Sequence, residues 1–232
     1  MSYIRSQIGD RAGLRVLDVA CGAGHFGFTF ADIATTRISF FDASASMLRA
    51  VKDGAATRGI EVETVVGLAE VLPFDDESFD LVVSRLAPHH FLDPCKATKE
   101  MARVLSPGGQ CAIIDLEGPF DGTADVINCT IETLHDPTHV RSYSQLEWCK
   151  FMRSADLLIE AVQGGLRESP EGVTVERWCE IASTDSKARA DIEAVLIGAP
   201  ARELAMLGIW HDGEGYRVPI RTTLIFARKP SQ

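Results

Sequence analysis

The sequence lacks paired cysteines, long apolar runs and an excess of positive charge, and each absence excludes a class of protein. Its six cysteines are scattered over 232 residues without a C-x-x-C pair, which predicts reduced core residues and no disulfide or metal framework. No stretch approaches the roughly 20 consecutive apolar residues of a membrane helix, and the first 14 residues contain no apolar segment of a secretory signal. The net charge of −10 repels a phosphate backbone. We therefore expect a cytoplasmic protein with no membrane insertion and no nucleic-acid partner.

The first 118 residues alternate short β-rich runs with helical stretches, which is the pattern of successive βαβ units. Strands are predicted at 14–20, 37–44, 62–67, 79–86 and 109–118. Helices are predicted at 23–34, 44–59 and 94–105. In the second helix, Ser44 is the expected N-cap and Gly59 the expected end. The alternation predicts an α/β fold with a Rossmann-like, doubly wound and mostly parallel sheet.

The pattern changes after Gly118. Amphipathic helices are predicted at 123–136, 144–157, 174–183 and 186–199, with a strand at 158–163. Residues 204–229 predict two strands around the turn HDGEGY, which would add a terminal antiparallel pair to the sheet. The helices form an insertion after the fifth strand.

The stretch DVACGAGHFG, residues 18–27, has the glycine spacing of a dinucleotide-binding loop, with glycines at positions 22, 24 and 27. Glycine lets such a loop turn tightly and approach a ligand closely. Asp18 argues against a dinucleotide, because a carboxylate at the end of the first strand repels a pyrophosphate and attracts an ammonium group, such as that of a methionine moiety. Asp42 ends the second strand, where its two oxygens can accept from both ribose hydroxyls. The alternative for Asp42 is a helix N-cap.

Four ordered motifs in the first half of the chain resemble those of class I S-adenosylmethionine-dependent methyltransferases, and most closely the small-molecule enzymes of the ubiquinone/menaquinone-biosynthesis group. The motifs are VLDVACGAGHFG, FFDASASML, GLAEVLPFDDESFDLVVSRLAPHHFLDP and EMARVLSPGG. The resemblance implies S-adenosylmethionine as cofactor, S-adenosylhomocysteine as product and a small-molecule methyl acceptor. The length of 232 residues predicts a single domain, and the resemblance divides it into a cofactor-binding core (1–118), substrate or lid helices (119–200) and terminal strands (201–232).

The resemblance further implies which residues contact the cofactor. They are Asp18, Ala20, Gly22, Gly24, Asp42, Ala43, Met47, Ala69, Glu70 and Ser84. Asp18 and the glycine loop take the methionine end in this interpretation, and Asp42 takes the ribose. Ala20 replaces the first glycine of the family motif, which adds only a methyl group. Leu68 stands where many relatives have an aspartate that accepts from the adenine amino group, so we expect apolar contacts and backbone groups to hold the adenine here.

Methyl transfer from a sulfonium is an in-line displacement, for which the protein supplies proximity, orientation and, for a protonated nucleophile, a base. No metal is required. His89 is the first candidate for the base, since an imidazole titrates near working pH, and His90 is the second; structural packing is the alternative for both. Arg85 orients an anionic substrate group or pairs with a neighbouring acid. Asp115 ends the fifth strand and faces the same edge of the sheet as these residues. It either belongs to the site or caps the next loop.

These residues predict methyl transfer to an oxygen or carbon nucleophile of a small, moderately apolar acceptor. Two other functions stay open at this point. One is a cofactor-binding module that transfers no methyl group, which would carry the same motifs. The other is an NAD-dependent oxidoreductase, which Asp18 disfavours. A homodimer is a further possibility that the sequence does not decide.

Overall fold

The computed structural model describes residues 2–9, 11–167, 169 and 171–231. Its α-helices within these residues are α1 (Ser2–Ile8), α2 (Ala45–Arg58), α3 (Pro94–Val104), α4 (Gly122–His135), α5 (Gln145–Ser154), α6 (Val175–Ala182), α7 (Ser186–Gly198) and α8 (Ala201–Leu207). The strands are β1 (Arg15–Val19), β2 (Arg37–Asp42), β3 (Glu63–Val66), β4 (Phe79–Arg85), β5 (Leu105–Leu116), β6 (Leu158–Arg167), β7 (Val173–Thr174), β8 (Trp210–His211), β9 (Tyr216–Val218) and β10 (Arg221–Arg228). No helix in the described part of the chain is long and apolar enough to cross a membrane.

Seven strands form one sheet in the order β3-β2-β1-β4-β5-β10-β6. The neighbours from β3 to β5 pair in parallel. β10 runs antiparallel to β5, because Gly108 N donates to Lys229 O while Glu117 N, at the other end of β5, donates to Arg221 O, both at 3.0 Å. The predicted α/β, mostly parallel, Rossmann-like sheet is confirmed. The strand order reverses between β1 and β4, and ligands of open α/β sheets bind at the carboxyl ends of the strands beside such a point.

The end of the chain differs from the prediction in its detail. Residues 204–229 begin within helix α8, and the hairpin of β8 and β9 joins β7 in a separate three-stranded sheet. The hairpin turn is fixed by Asp212, whose Oδ1 accepts from Glu214 N at 2.9 Å and from Gly215 N at 3.0 Å. Of the strands β8, β9 and β10, only β10 belongs to the seven-stranded sheet. The alternating sequence pattern identified strands here and could not assign them to a sheet.

The predicted helix at 23–34 is wrong. The chain forms only a short 3-10 segment, Gly27–Phe30, after the glycine loop. The backbone N–H of Gly27 donates to Asp18 Oδ2 at 2.7 Å, and is therefore not part of an α-helical hydrogen-bond ladder. Glycine also has the lowest helix propensity of all residues except proline. By contrast, α2 has its expected ends: Ser44 accepts from Met47 N at 3.4 Å, and Gly59 adopts a left-handed φ of 65°.

The chain divides into two compact units. The first comprises Met1–Asp115, Leu146–Val162 and Leu224–Gln232, and the second comprises Leu116–Gln145 and Gln163–Thr223. One face of the sheet in the first unit packs through residues such as Phe40 and Val83. The second unit has its own core, in which Ile131, Trp178 and Ile192 are buried. The roles predicted for the three parts of the chain remain predictions.

Candidate active site

The loop after β1 is built from residues in the left-handed region of backbone space. Ala20, Gly22 and Gly24 have φ values of 53°, 52° and 79°. A Cβ on Gly24 would lie within about 3.0 Å of Phe28, Phe40 and Val51 side-chain atoms, whereas a Cβ on Gly22 would meet nothing within 4 Å. Gly24 is therefore required for packing, and Gly22 faces open space.

Ala20 stands at a position where the backbone conformation favours glycine. The added methyl group is small, as the sequence analysis assumed, but the left-handed conformation brings the Cβ too close to the following carbonyl oxygen. This strain is on the order of 1 kcal/mol for a residue other than glycine. The substitution therefore strains the backbone of the loop.

Asp18 lies at the end of β1 and is completely buried. Its Oδ2 accepts from Gly27 N at 2.7 Å, and its Oδ1 has no hydrogen-bond partner among the residues that the structure describes. Burial raises the pKa of Asp18 to about 7; the Gly27 N–H opposes this shift and the charge of Asp42 adds to it. Asp18 thus holds the start of the 3-10 segment and keeps one oxygen without a donor.

Asp42 joins two backbone segments at the end of β2. Its Oδ2 accepts from Gly22 N at 2.8 Å and its Oδ1 accepts from Ser44 N at 2.7 Å. The N-cap of α2 is Ser44, so the alternative role considered for Asp42 does not apply. A carboxylate oxygen has two lone pairs, and each oxygen of Asp42 therefore retains one for a ligand hydroxyl.

Apolar side chains are exposed on the two segments that follow β2 and β3. Ala43 is exposed, Met47 is 45% exposed at the start of α2, and Leu68 is 57% exposed after β3. The two segments are adjacent, because Gly67 N donates to Asp42 O at 3.1 Å. Exposed apolar groups of this kind suit contact with a flat apolar ring.

The segment after β3 is tied to the segment after β4 by Glu70. Its Oε1 accepts from Leu92 N at 2.9 Å and from Asp93 N at 3.1 Å, just before α3 begins. Ala69, its neighbour, is buried. The Glu70 carboxylate therefore orders the loops at this edge of the sheet, a function that the sequence analysis did not foresee.

The ends of β4 and β5 bring together the residues predicted for chemistry. Ser84 is completely buried, and its hydroxyl has no partner in the described part of the chain, while Arg85 is half-buried. His89 Nδ1 lies 2.7 Å from Asp115 Oδ1, and this pair is buried. The ring of His90 lies against that of His89, with centroids 4.1 Å apart.

The pairing of His89 with Asp115 was not predicted, although both residues were noted. The signal was present in the strand order, because β4 and β5 are parallel neighbours, His89 follows the end of β4 and Asp115 lies near the end of β5. Leu86 adopts a φ of 51° and donates its N–H to Ile114 O at 2.8 Å, which turns the chain after β4 toward β5. Within the described residues, the observed contact of Asp115 is with His89, and not with the backbone of the next loop, which it would contact as a cap.

All of these residues lie in the first unit. The set around the glycine loop offers the groups that an adenosyl amino acid requires: a buried acceptor without a donor at Asp18, open space at Gly22 and a carboxylate with spare lone pairs at Asp42. The residues therefore fit the predicted cofactor. Among the described residues, no group of three or more His, Cys, Asp or Glu side chains is arranged to hold a metal ion.

Comparisons with known proteins agree with this geometry. A family model described as a methyltransferase domain matches residues 17–113. The chain is 38% identical over 154 residues to the uncharacterized methyltransferase YcgJ of Bacillus subtilis, which covers 66% of this chain and 60% of the relative. It is 36% identical over 125 residues to the ubiquinone/menaquinone biosynthesis C-methyltransferase UbiE of Haemophilus ducreyi, covering 52% of this chain and 48% of that protein. These alignments thus span about half to three fifths of the relatives.

The solved structure of the YcgJ protein from Bacillus subtilis superposes with a TM-score of 0.88 at 29% identity, covering 100% of this chain and 98% of that one. These similarities support the methyltransferase family, the enzyme class and the cofactor that the sequence predicts. Neither the oxidoreductase nor the non-transferring module is favoured by these similarities.

Proposed function

Because the chain carries a class I S-adenosylmethionine-dependent methyltransferase domain, we propose that it transfers a methyl group from S-adenosylmethionine to an oxygen or carbon nucleophile of a small molecule. The observation that carries this proposal is the arrangement at Gly22. Its backbone N–H donates to Asp42, and a Cβ at this position would meet nothing within 4 Å. The same loop ends at Gly27, whose N–H donates to the buried Asp18.

The binding residues have distinct tasks in this proposal. Asp18, with Ala20, Gly22 and Gly24, serves the methionine end, and Asp42 accepts from the ribose hydroxyls. The carboxyl group of Asp18 is fully buried. Direct contact of an ammonium with it therefore requires the residues that cover it to shift.

The remaining cofactor contacts follow the order of the strands. Ala43 and Met47 lie against the adenine ring, and the backbone amide of Ala69 binds its edge. Glu70 contributes by ordering the loop in which Ala69 lies. Ser84 lies beside the sulfonium, whose methyl group is the electrophile that the cofactor supplies when bound.

His89 is the proposed base. In the tautomer that donates from Nδ1 to Asp115 Oδ1, the imidazole has its lone pair on Nε2, which would accept the proton of the methyl acceptor. His90 packs against this ring and supports its position. Arg85, at the end of β4, orients an anionic group of the acceptor.

The acceptor is a quinol, phenol or similarly acidic small molecule in this proposal. The UbiE relative is named a C-methyltransferase of ubiquinone/menaquinone biosynthesis, which supports acceptors of this class. Residues 119–200 are proposed to select among them. The cytoplasmic location and the homodimer considered above remain predictions.

The test is methyl transfer from S-adenosylmethionine to a library of phenols, quinols and thiols, followed by mass spectrometry. We expect a product heavier by one methylene unit from at least one phenol or quinol, together with S-adenosylhomocysteine. Binding of S-adenosylhomocysteine without transfer to any member of a broad library would favour the non-transferring module. Reduction of NAD by a library of alcohols would contradict the proposal.

A further inference from the structure

The surroundings of Asp18 favour the protonated form of its carboxyl group over the ionised form. It is completely buried, it receives one hydrogen bond, from Gly27 N, and its Oδ1 has no donor among the described residues. A buried carboxylate is expensive unless donors or a cation compensate its charge. Among the described residues, Gly27 is the one donor to Asp18.

The groups packed around Asp18 strengthen this preference. From β2, Asp42 has the same charge, and it acts against ionisation of Asp18. From the loop, Cys21 is a half-buried thiol whose pKa is raised mainly by burial and then by the charges of Asp18 and Asp42, so it stays neutral. His25 is exposed on the same loop. The neighbouring strand β4 places Val83 opposite Asp18, and no Lys or Arg in the described part of the chain forms an ion pair with it.

The amino-acid end of S-adenosylmethionine or S-adenosylhomocysteine carries an α-ammonium group. A positive charge within about 4–6 Å favours the ionised form of a carboxyl group, with or without direct contact. We propose that Asp18 holds a proton in the ligand-free protein near neutral pH and releases it to the solvent when the amino-acid end of the adenosyl ligand binds. The O–H bond of the acid breaks, the proton goes to the buffer, and the negative charge remains opposite the ammonium. This inference rests on the proposed function.

The coupling makes cofactor affinity depend on pH. Below the pKa of Asp18, which burial raises to about 7, each unit of pH that is gained should tighten binding by up to about tenfold. Above that pKa the affinity should level off. An unshifted aspartate, ionised throughout this range, would give no such dependence.

The experiment is calorimetric titration with S-adenosylhomocysteine near pH 6 in two buffers of different ionisation enthalpy. The α-ammonium is charged at this pH, so the buffer dependence of the heat counts protons released by the protein. We expect roughly 0.5 to 1 proton per ligand. 5′-Methylthioadenosine, which lacks the ammonium, should release none from the same protein.

Asp18→Asn is the matched variant, because its side-chain oxygen still accepts from Gly27 N while the group cannot titrate. It should bind S-adenosylhomocysteine more weakly than the wild type does above pH 7, with no proton release and no pH dependence below pH 7. If this variant does not fold, the two ligands on the wild-type protein still decide the matter. Binding of S-adenosylhomocysteine with no proton release would overturn the inference and leave the proposed function standing. No binding of this ligand at any pH would overturn both.

Discussion

His89 Nδ1 lies 2.7 Å from Asp115 Oδ1, although the two residues are 26 positions apart in the chain. The contact joins the segment after β4 to the end of β5, and both side chains are buried. A buried carboxylate that accepts from Nδ1–H fixes the orientation and the tautomer of the imidazole. The pair therefore has the form of a base and the group that positions it.

Removing the base should slow transfer without preventing cofactor binding. We expect His89→Ala to lower kcat by about a hundredfold on a phenolic or quinolic acceptor, because general base catalysis typically contributes at least that much. Asp115→Asn should lower kcat less and shift its pH profile. His211→Gln, on an exposed hairpin, is the matched control and should keep wild-type turnover. Undiminished turnover of His89→Ala would remove the base assignment.

Asp42 should matter for both affinity and stability. Asp42→Ala removes the acceptor of the ribose hydroxyls and also leaves Gly22 N and Ser44 N without their partner. We expect S-adenosylhomocysteine to bind about tenfold more weakly or worse, and the free energy of unfolding to fall by about 1–2 kcal/mol. Asp42→Asn, which keeps one acceptor, should lie between the two proteins. Calorimetry and urea denaturation measure these effects, and unchanged affinity in Asp42→Ala would refute the ribose contact.

The backbone strain at Ala20 can be relieved. Ala20→Gly should raise the free energy of unfolding by up to about 1 kcal/mol, because glycine adopts a φ of 53° without strain. The mirror experiment is Gly22→Ala, which places a methyl group in open space at a φ of 52° and should lower stability by about 1 kcal/mol through the backbone alone. Equal and opposite shifts in urea midpoints are the expected result. A stabilising Gly22→Ala would contradict the left-handed geometry of this loop.

The protonation of Asp18 should appear in the stability of the ligand-free protein. Its pKa is about 7 in the folded chain and about 3.9 in the unfolded chain, so folding takes up a proton between these values. This contribution is fully present below about pH 4 and is lost as pH rises through about 7.

The comparison with Asp18→Asn isolates this effect, since all other groups titrate in both proteins. From about pH 8 to about pH 5, the wild type should gain stability relative to the variant by an amount on the order of a few kcal/mol. Urea denaturation at several pH values measures the difference. A constant difference would show that Asp18 is ionised throughout.

The sequence predicted the parallel core well because each of its strands is a separate β-rich run, and because the ends of α2 depend on local residues, Ser44 and Gly59. It failed at 23–34, where the N–H of Gly27 is taken by Asp18 from another element, a tertiary contact that no local pattern reports. It also failed to assign the hairpin β8–β9 to its own sheet.

The candidate site shows the same division between local and tertiary information. The positions of Asp42 at the end of β2 and of His89 in the segment after β4 follow from the motifs. The partner of His89 and the loop-ordering contacts of Glu70 depend on strand order and on loop paths, which a single sequence does not contain.

The central claim, that an adenosyl amino acid binds at the carboxyl ends of β1 and β2, is tested most directly by a crystal structure of the protein with S-adenosylhomocysteine. We predict density for the ligand along the loop of residues 20–24, with both ribose hydroxyls within hydrogen-bond distance of the Asp42 carboxylate. The claim would be contradicted by a ligand bound elsewhere, or by a ribose that makes no contact with Asp42.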